Sequence, residues 1–377
     1  MRGFITALVA SILIGWLCPL AATTYLVLPD GTGDFPTIQS ALDAAVNGDV
    51  IELGDGTFQG EGNRAFVLSK ALILRSVSGD PDRCVIDCEG SPSESSGIGI
   101  SPSATSSAVM QGLSVIHGYG ESHGGVLCRA SISFVDCVFA DNTVEWGYGG
   151  GGVRCDDCAP AFVHCAFIRN ASLNSGCGGV RIAYGGPARF DRCLFEQNTA
   201  AVGSGGCGVT YGSAELLDCV FLGNMSPRSA AGADRGASMT MERCTVVGNT
   251  GGGLCAWDEG LLAAVNTVIA WNTGGEGIYC SGSGAADLVC CDIFGNEGGD
   301  WVGCIESQQG VNGNISLDPL FCDWQDGDLH LEVDSPCAPE YNPACGLIGA
   351  LPVGCGSTPA QETTWGAMKA LFRGDGK

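Results

Sequence analysis

Positive charge is scarce in this sequence. Lys and Arg together number 17 against 41 Asp and Glu, a net charge of −24. Such a surface repels nucleic acid and anionic membranes, so neither is expected as a partner. Histidine is scarcer still: His117, His123, His164 and His330 are all there are, which leaves few candidates for imidazole acid–base work. Beyond residue 17 no apolar run is long enough for a transmembrane helix, and the mature chain is expected to have no transmembrane segment. At the start, Met1-Arg2, an uncharged run from Phe4 to Leu17 and the small pair Ala21-Ala22 have the layout of a secretory signal. Residues 1–22 are therefore expected to be cleaved, and the protein to be secreted or held at the cell surface. Gly15-Trp16-Leu17 before Cys18 is unlike the small-residue box of a lipidation site.

Glycine and cysteine are abundant. Sixty glycines with 45% apolar residues argue against disorder and for many tight turns joining buried strands. Of the 22 cysteines, all but Cys18 lie beyond the signal. Export to an oxidising compartment makes some disulfides expected, and the odd number leaves at least one thiol over.

The cysteines reveal a repeat. "CVFADN" at 137–142 returns as "CAFIRN" at 165–170, "CLFEQN" at 193–198 and "CVFLGN" at 219–224. Its first slot is filled by Cys137, Cys165, Cys193, Cys219, Cys244, Thr267 and Cys291, at intervals of 28, 28, 26, 25, 23 and 24 residues. Five positions on stands asparagine each time: Asn142, Asn170, Asn198, Asn224, Asn249, Asn272 and Asn296. Period-two alternation puts the cysteine and the residue two positions on, Phe139 in the first copy, on one inward strand face. The interval is too short for a propeller blade, and the leucine framework of a leucine-rich repeat is missing. One turn of a parallel β-helix fits it. The asparagines are then expected to form a structural ladder, bonding the bends of successive coils and tolerating the left-handed backbone of a sharp bend. The other bend is glycine-rich, with "GGV" at 124–126, 151–153 and 178–180 and "GGL" at 252–254.

The F-x-x-N element (Phe139–Asn142, Phe167–Asn170, Phe195–Asn198, Phe221–Asn224) paired with G-G-[VL] resembles the repeats of polymorphic outer-membrane proteins. The opening "DGTGDFPTIQSALDAAVNGDVIELGDGTF", 30–58, is similar to the start of right-handed parallel β-helix proteins of the pectin-lyase-like group. The resemblance implies an all-β, single-stranded right-handed parallel β-helix whose first helix plugs the open end. From the residues alone, Ile38, Leu42 and Ala45 share one helical face after Pro36. Too little sequence follows residue 355 for the membrane barrel of the polymorphic proteins, so no such anchor is expected. The coil should occupy 23–306. A Cys- and Pro-rich segment, 307–356, is expected to cover its C-terminal edge. Residues 357–377 read as a linker and a short helix or sorting tail.

Candidate chemistry is sparse. Stacked core cysteines are expected to stay mostly reduced, because in-register parallel neighbours hold their Cβ atoms too far apart for a disulfide. The close pairs Cys84/Cys88 and Cys155/Cys158, and the group Cys337, Cys345 and Cys355, are the expected bridges. "CDDC" at 155–158 has half the spacing of a zinc site, and no second matching pair follows. The weak catalytic candidates are Asp156 and Asp157 with Arg154 and Arg181, the two arginines one coil apart and able to hold a uronate carboxylate between them. An ion-pair cluster is the plainer account of these charges. The ordered signatures of polygalacturonases do not appear: "DD" at 156–157 follows "SHG" at 122–124, and "VRIA" at 180–183 lacks the lysine. Those of pectin methylesterases and pectate lyases are missing too. Tyr119, Trp146, Tyr148, Tyr184, Tyr211 and Trp257 stand in or near glycine-rich bends, where a row of rings could stack on sugars. Calcium is the one cofactor with a candidate place, at Asp323, Asp326 and Asp328, although the spacing is not that of a helix–loop–helix calcium loop. The expected function is non-catalytic binding of a polysaccharide or cell-surface glycan, or adhesion. The alternatives are a lyase or glycoside hydrolase of acidic polysaccharides, and a passive envelope component.

Overall fold

In a computed structural model, residues 22–90, 97–147 and 149–355 are described; the signal expected at 1–22, all but its last residue, Tyr148 and the tail expected at 357–377 lie outside them. The chain winds as a right-handed parallel β-helix. Its walls are three parallel sheets of 11, 10 and 9 strands. One coil runs from the first sheet (Ala161–Val163) to the second (Ala166–Ile168) and on to the third (Val180–Ala183). A short four-stranded sheet, including Ala171–Ser172, lies between the second and third.

The repeated hexamer makes the second sheet and both its corners. The residue before the first slot of each repeat is left-handed (Asp136, His164, Arg192, Asp218, Arg243, Asn266, Cys290), which places the six cysteines and Thr267 at the corner rather than on the strand. A second left-handed residue precedes each ladder asparagine: Asp141, Arg169, Gln197, Gly223, Gly248, Trp271 and Gly295. The asparagines themselves are not left-handed. Their contribution comes from the amide. Asn170 donates from Nδ2 to Asn198 Oδ1 at 2.9 Å and to Phe139 O at 2.8 Å, and Asn198 Oδ1 also accepts the Asn170 N–H at 3.0 Å. The same contacts link Asn142 through Asn296, and Asp300 ends the series by accepting from Asn296 N and Nδ2 at 2.8 Å each. Each buried amide therefore finds partners above and below, as a group removed from water must.

Inside, aromatic rings stack in two columns. Phe139, Phe167, Phe195 and Phe221 form one, with centroids 4.4–5.2 Å apart; Phe134, Phe162 and Phe190 form the other, at 4.8 Å. The spacing follows from the coil rise of about 4.8 Å. The corner cysteines fill the third core column as buried, reduced thiols. Burial pushes Cys165, Cys193, Cys219 and Cys244 well above the ordinary thiol range and Cys291 up to about 12, so they act as inert small hydrophobes.

At the N-terminal end, helix α1 (Ile38–Ala44) is capped by Thr37 and buries Ile38, Ala41 and Leu42, with Ala45 beyond it, in the core. Lys70 Nζ donates to the carbonyls of Leu42, Asp43 and Ala45 at 2.6–2.8 Å, neutralising the helix C-terminus. The other end differs from expectation. Residues 299–315 close it: Trp301 and Ile305 enter the core, and Gln308 and Asn314 bond the last coil's open backbone at Ala286, Leu288 and Cys291. The segment after them turns back along the outer face of the second sheet. There Phe321, Leu329, Leu331, Ile348 and Leu351 pack with Val220, Val247 and Val268. The outward residues of those strands are apolar and need this cover, which is why the segment lies sideways.

Three disulfides hold this end: Cys280–Cys304, Cys290–Cys345 and Cys322–Cys355. Cys345 and Cys355 are thus bridged, but to Cys290 and Cys322. Cys84, Cys88, Cys155, Cys158 and Cys337 remain free and buried, contrary to the expected close-pair bridges. The Cys155 and Cys158 sulfurs approach within 4.8 Å without bonding, and the Cys337 thiol donates to Asp292 Oδ2 instead. Among the described residues no helix is long and apolar enough to cross a membrane.

Candidate functional site

The outer face of the third sheet carries most of the candidate residues. Its register aligns Leu127, Arg154, Arg181, Gly208, Gly232, Cys255 and Tyr279 in one outward column. A second column holds Asp156, Ala183, Thr210, Asp234, Trp257 and Ser281. Arg154 and Arg181 are register partners, yet they do not share a ligand site. Arg154 donates from Nε to Asp156 Oδ1 at 2.9 Å and from Nη1 to Ser122 O at 3.2 Å. Asp157 sits apart, in a left-handed corner just past the strand. The acidic pair is therefore split, with Asp156 facing along the sheet and Asp157 turned out to solvent.

Two to four coils on, the face opens. Gly208 and Gly232 in its column leave room only for the Cys177 and Cys255 sulfurs, each 2.3 Å from where a Cβ would stand. A cleft of about 270 Å³ lies there, lined by Arg181, Arg228, Asp234 and Arg235 among others. Asp234 holds the centre: Oδ2 is 3.7 Å from Arg228 Nη1, and the buried Oδ1 accepts no hydrogen bond, with Arg235 Nε at 3.9 Å. A second cleft, about 280 Å³, shares Arg228 and adds Trp257, Tyr279 and Glu276. The Arg228 guanidinium lies 4.5 Å from the Trp257 ring centroid, a cation–π contact, and Trp257 and Tyr279 are 5.9 Å apart.

Beside the first cleft, Tyr184 and Tyr211 stack at 5.1 Å and are 62% and 49% exposed. They occupy the same left-handed corner as Arg235 in the next coil. Exposed stacked rings on a rigid corner present an apolar platform to solvent. Tyr119 and Trp146 are elsewhere. Tyr119 belongs to the short fourth sheet and donates to Glu145 Oε2 at 2.7 Å; Trp146 is exposed just past that sheet's next strand. The aromatic candidates thus form no single row, because the bends that carry them lie on opposite edges of the third sheet.

No protein-family model matches the chain, and no curated protein matches it at a significant level. Solved structures with a similar chain path include three that act on or are named for polysaccharides. Pectate lyase Pel9A aligns at 15% identity over 73% of this chain and 70% of its own, TM-score 0.47. A mannuronic acid specific polysaccharide family 6 lyase from human gut microbiota aligns at 13% identity over 79% and 85%, TM-score 0.38. The A-module of the Azotobacter vinelandii mannuronan C-5 epimerase AlgE6 aligns at 12% over 75% and 94%, TM-score 0.30. The likeness is one of fold, and no chemistry comes with it.

The acids proposed for calcium lie in the hairpin of the fold-back segment. Asp323 caps the turn Trp324–Asp326, accepting from Asp326 N, and buried Asp328 accepts from His330 Nδ1 at 2.8 Å. Among the described residues, one group of three or more ligating side chains has its ligand atoms within 4.8 Å of one another: Cys128, Cys155 and Cys158. Sequence reading missed Arg228, Asp234, Arg235 and Tyr279. The G-G-V element that marks the start of a third-sheet strand is broken in their coils, at "AAGAD" (230–234) and "EGIY" (276–279). The interval from the ladder asparagine to the outward column is 12 residues at Arg154 but 8 at Gly232 and 7 at Tyr279, so no fixed offset from the repeat finds them.

Proposed function

We propose that this chain is an exported protein that binds an acidic polysaccharide along the outer face of the third sheet without cleaving it. The observation that carries this is the gathering of Arg181, Arg228 and Arg235 on one cleft, in a protein whose net charge is −24. Concentrated guanidinium on an acidic molecule selects a ligand with carboxylates at intervals, and guanidinium pairs with carboxylate in a planar fork. Trp257, Tyr279 and the Tyr184–Tyr211 pair supply ring faces on either side for the apolar faces of sugars. Export is supported by the three disulfides, which persist in oxidising compartments. The likeness of the F-x-x-N repeats to adhesive polymorphic outer-membrane proteins is compatible with display at a cell surface.

The arrangement of acids favours binding over hydrolysis. Asp156 and Asp234 share an outward column three coils apart, or about 14 Å at the coil rise, beyond the carboxylate separations of glycoside hydrolases. Lyase action is the second reading, favoured by the buried Asp234 Oδ1 that accepts no hydrogen bond. Incubation with polygalacturonate, alginate and neutral glucans, scoring retained protein and new chain ends together, separates the two. Retention on the acidic polymers alone, lost in Arg228→Ala and weakened by salt, is expected. New chain ends that vanish in Asp234→Asn would replace binding by catalysis, and equal retention on neutral polymers would refute the role of the arginines.

A further inference from the structure

The thiol triangle on the inner side of the third sheet is separate from the glycan face. Cys128 ends the strand Val126–Cys128, and Cys155 is its register partner in the next coil. Cys158 comes from the turn after that strand, where left-handed Asp157 redirects the chain inward. All three are buried and none is disulfide-bonded. Their Sγ atoms lie within 4.8 Å of one another. The corner cysteines of the second sheet instead run in a line, one per coil, so each meets neighbours above and below but never closes a triangle.

We propose that Cys128, Cys155 and Cys158 form a three-coordinate thiolate site for copper(I). Three sulfurs no more than 4.8 Å apart hold a central ion at most about 2.8 Å from each, and inward shifts of about 0.5 Å reach the metal–thiolate distance near 2.3 Å. Thiolate softness selects copper(I) or zinc, and the surroundings choose between them. Zinc needs a fourth ligand or a water. The coil positions above and below the triangle are Ile100 and Ile182, the apolar register partners of Cys128 and Cys155. The next coil packs over Cys158 so closely that a Cβ on Gly185 would fall 2.2 Å from its carbonyl oxygen. A dry, apolar pocket with three sulfurs suits a singly charged ion content with three ligands. Binding releases the protons of the ligating thiols to solvent and moves no electrons.

The test is to load the full chain anaerobically with copper(I) in competition with a chromophoric chelator, and to record its X-ray absorption. The expected result is one tightly held ion with three sulfurs at about 2.3 Å. Cys155→Ser and Cys158→Ser should each weaken that ion by more than about 100-fold, while Cys193→Ser, in the linear column, should leave it unchanged. A shell of two sulfurs, a zinc ion with a nitrogen or oxygen ligand held in preference, or a loss caused equally by Cys193→Ser would overturn the assignment. So would a peptide map of the protein, purified without reductant, showing a disulfide between any two of the three. The wild-type spectrum and the peptide map do not depend on any variant folding.

Discussion

Asp292 should make the attachment of the fold-back segment pH-dependent. Its side chain is fully buried beneath that segment, where Oδ1 accepts the Leu317 N–H at 3.1 Å and Oδ2 the Cys337 thiol at 3.2 Å. Burial is the dominant influence and raises its pKa from 3.8 to about 7; the two hydrogen bonds oppose the rise, and Asp300 and Asp318 add like charge. A folded pKa above the unfolded one means that the folded state holds the proton more tightly. The contribution is therefore fully present below about pH 4 and is lost as pH climbs through about 7. A shift of roughly three units corresponds to at most about 4 kcal/mol, a large share of the stability of an ordinary domain. Asp292→Asn keeps the shape and cannot ionise. Urea unfolding of both proteins without reductant should give nearly equal stabilities at pH 4. The variant should gain on the wild type up to pH 8, by about 2–4 kcal/mol. Comparing the pair cancels the titration of every other carboxylate. A difference that does not change with pH would refute the reasoning, as would a variant less stable than wild type at pH 8.

Further perturbations probe the ladder, the thiols, the glycine beside Cys177 and the helix plug. Asn198→Ala removes the acceptor of the Asn170 N–H, one of the two acceptors of Asn170 Nδ2 and the donor to the Phe167 carbonyl, and should cost about 3–5 kcal/mol in urea unfolding. Alkylation of the denatured, unreduced chain from residue 23 should label 15 cysteines; a result below ten, read by mass, would mean that the core column is oxidised. Gly208→Ala drives a methyl against Cys177 Sγ and should destabilise by about 1–3 kcal/mol, with the added Cys177→Ala restoring most of the loss in a thermal melt. Lys70→Met removes the cation from three helix carbonyls and should cost about 1–2 kcal/mol, visible as a lower melting temperature.

The coil was legible because its constraint is local and repeated. Asparagine recurs at one offset since each coil offers the same two donors and the same carbonyl to the next, and no other short side chain serves all of them. The helix plug was legible for a similar reason, from the face shared by Ile38, Leu42 and Ala45. The bend itself was misjudged: the left-handed position falls one residue before the asparagine and is filled by glycine in three coils, Gly223, Gly248 and Gly295, but by Asp141, Arg169, Gln197 and Trp271 in the others, which blurs the signature. The disulfides were hidden for a different reason. Cys290–Cys345 joins positions 55 residues apart, and only the path of the fold-back segment brings them together. Cys128 was overlooked beside "CDDC" although it follows "GGV" at 124–126 at the same offset as Cys155 follows "GGV" at 151–153, which makes the two register partners.

The candidate site illustrates why a regular solenoid hides its function. Every coil must supply the asparagine and inward apolar residues, so those positions repeat whatever the protein does. The outward columns of the second sheet are spoken for as well, where the fold-back segment covers Val220, Val247 and Val268. The third sheet is under neither obligation. Its outward column changes from Arg154 and Arg181 to Gly208 and Gly232 and then to Cys255 and Tyr279. Glycine weakens a strand, so its presence there needs a compensating use, and room for the Cys177 and Cys255 sulfurs, 2.3 Å from where a Cβ would stand, supplies one. The gathering of Arg181, Arg228 and Arg235 on the neighbouring cleft, not the glycines, is therefore the feature that separates a binding face from bare scaffold. Arg181→Ala with Arg235→Ala in one folded variant should abolish retention of acidic polysaccharide, and undiminished retention would move the ligand to the tyrosine corner.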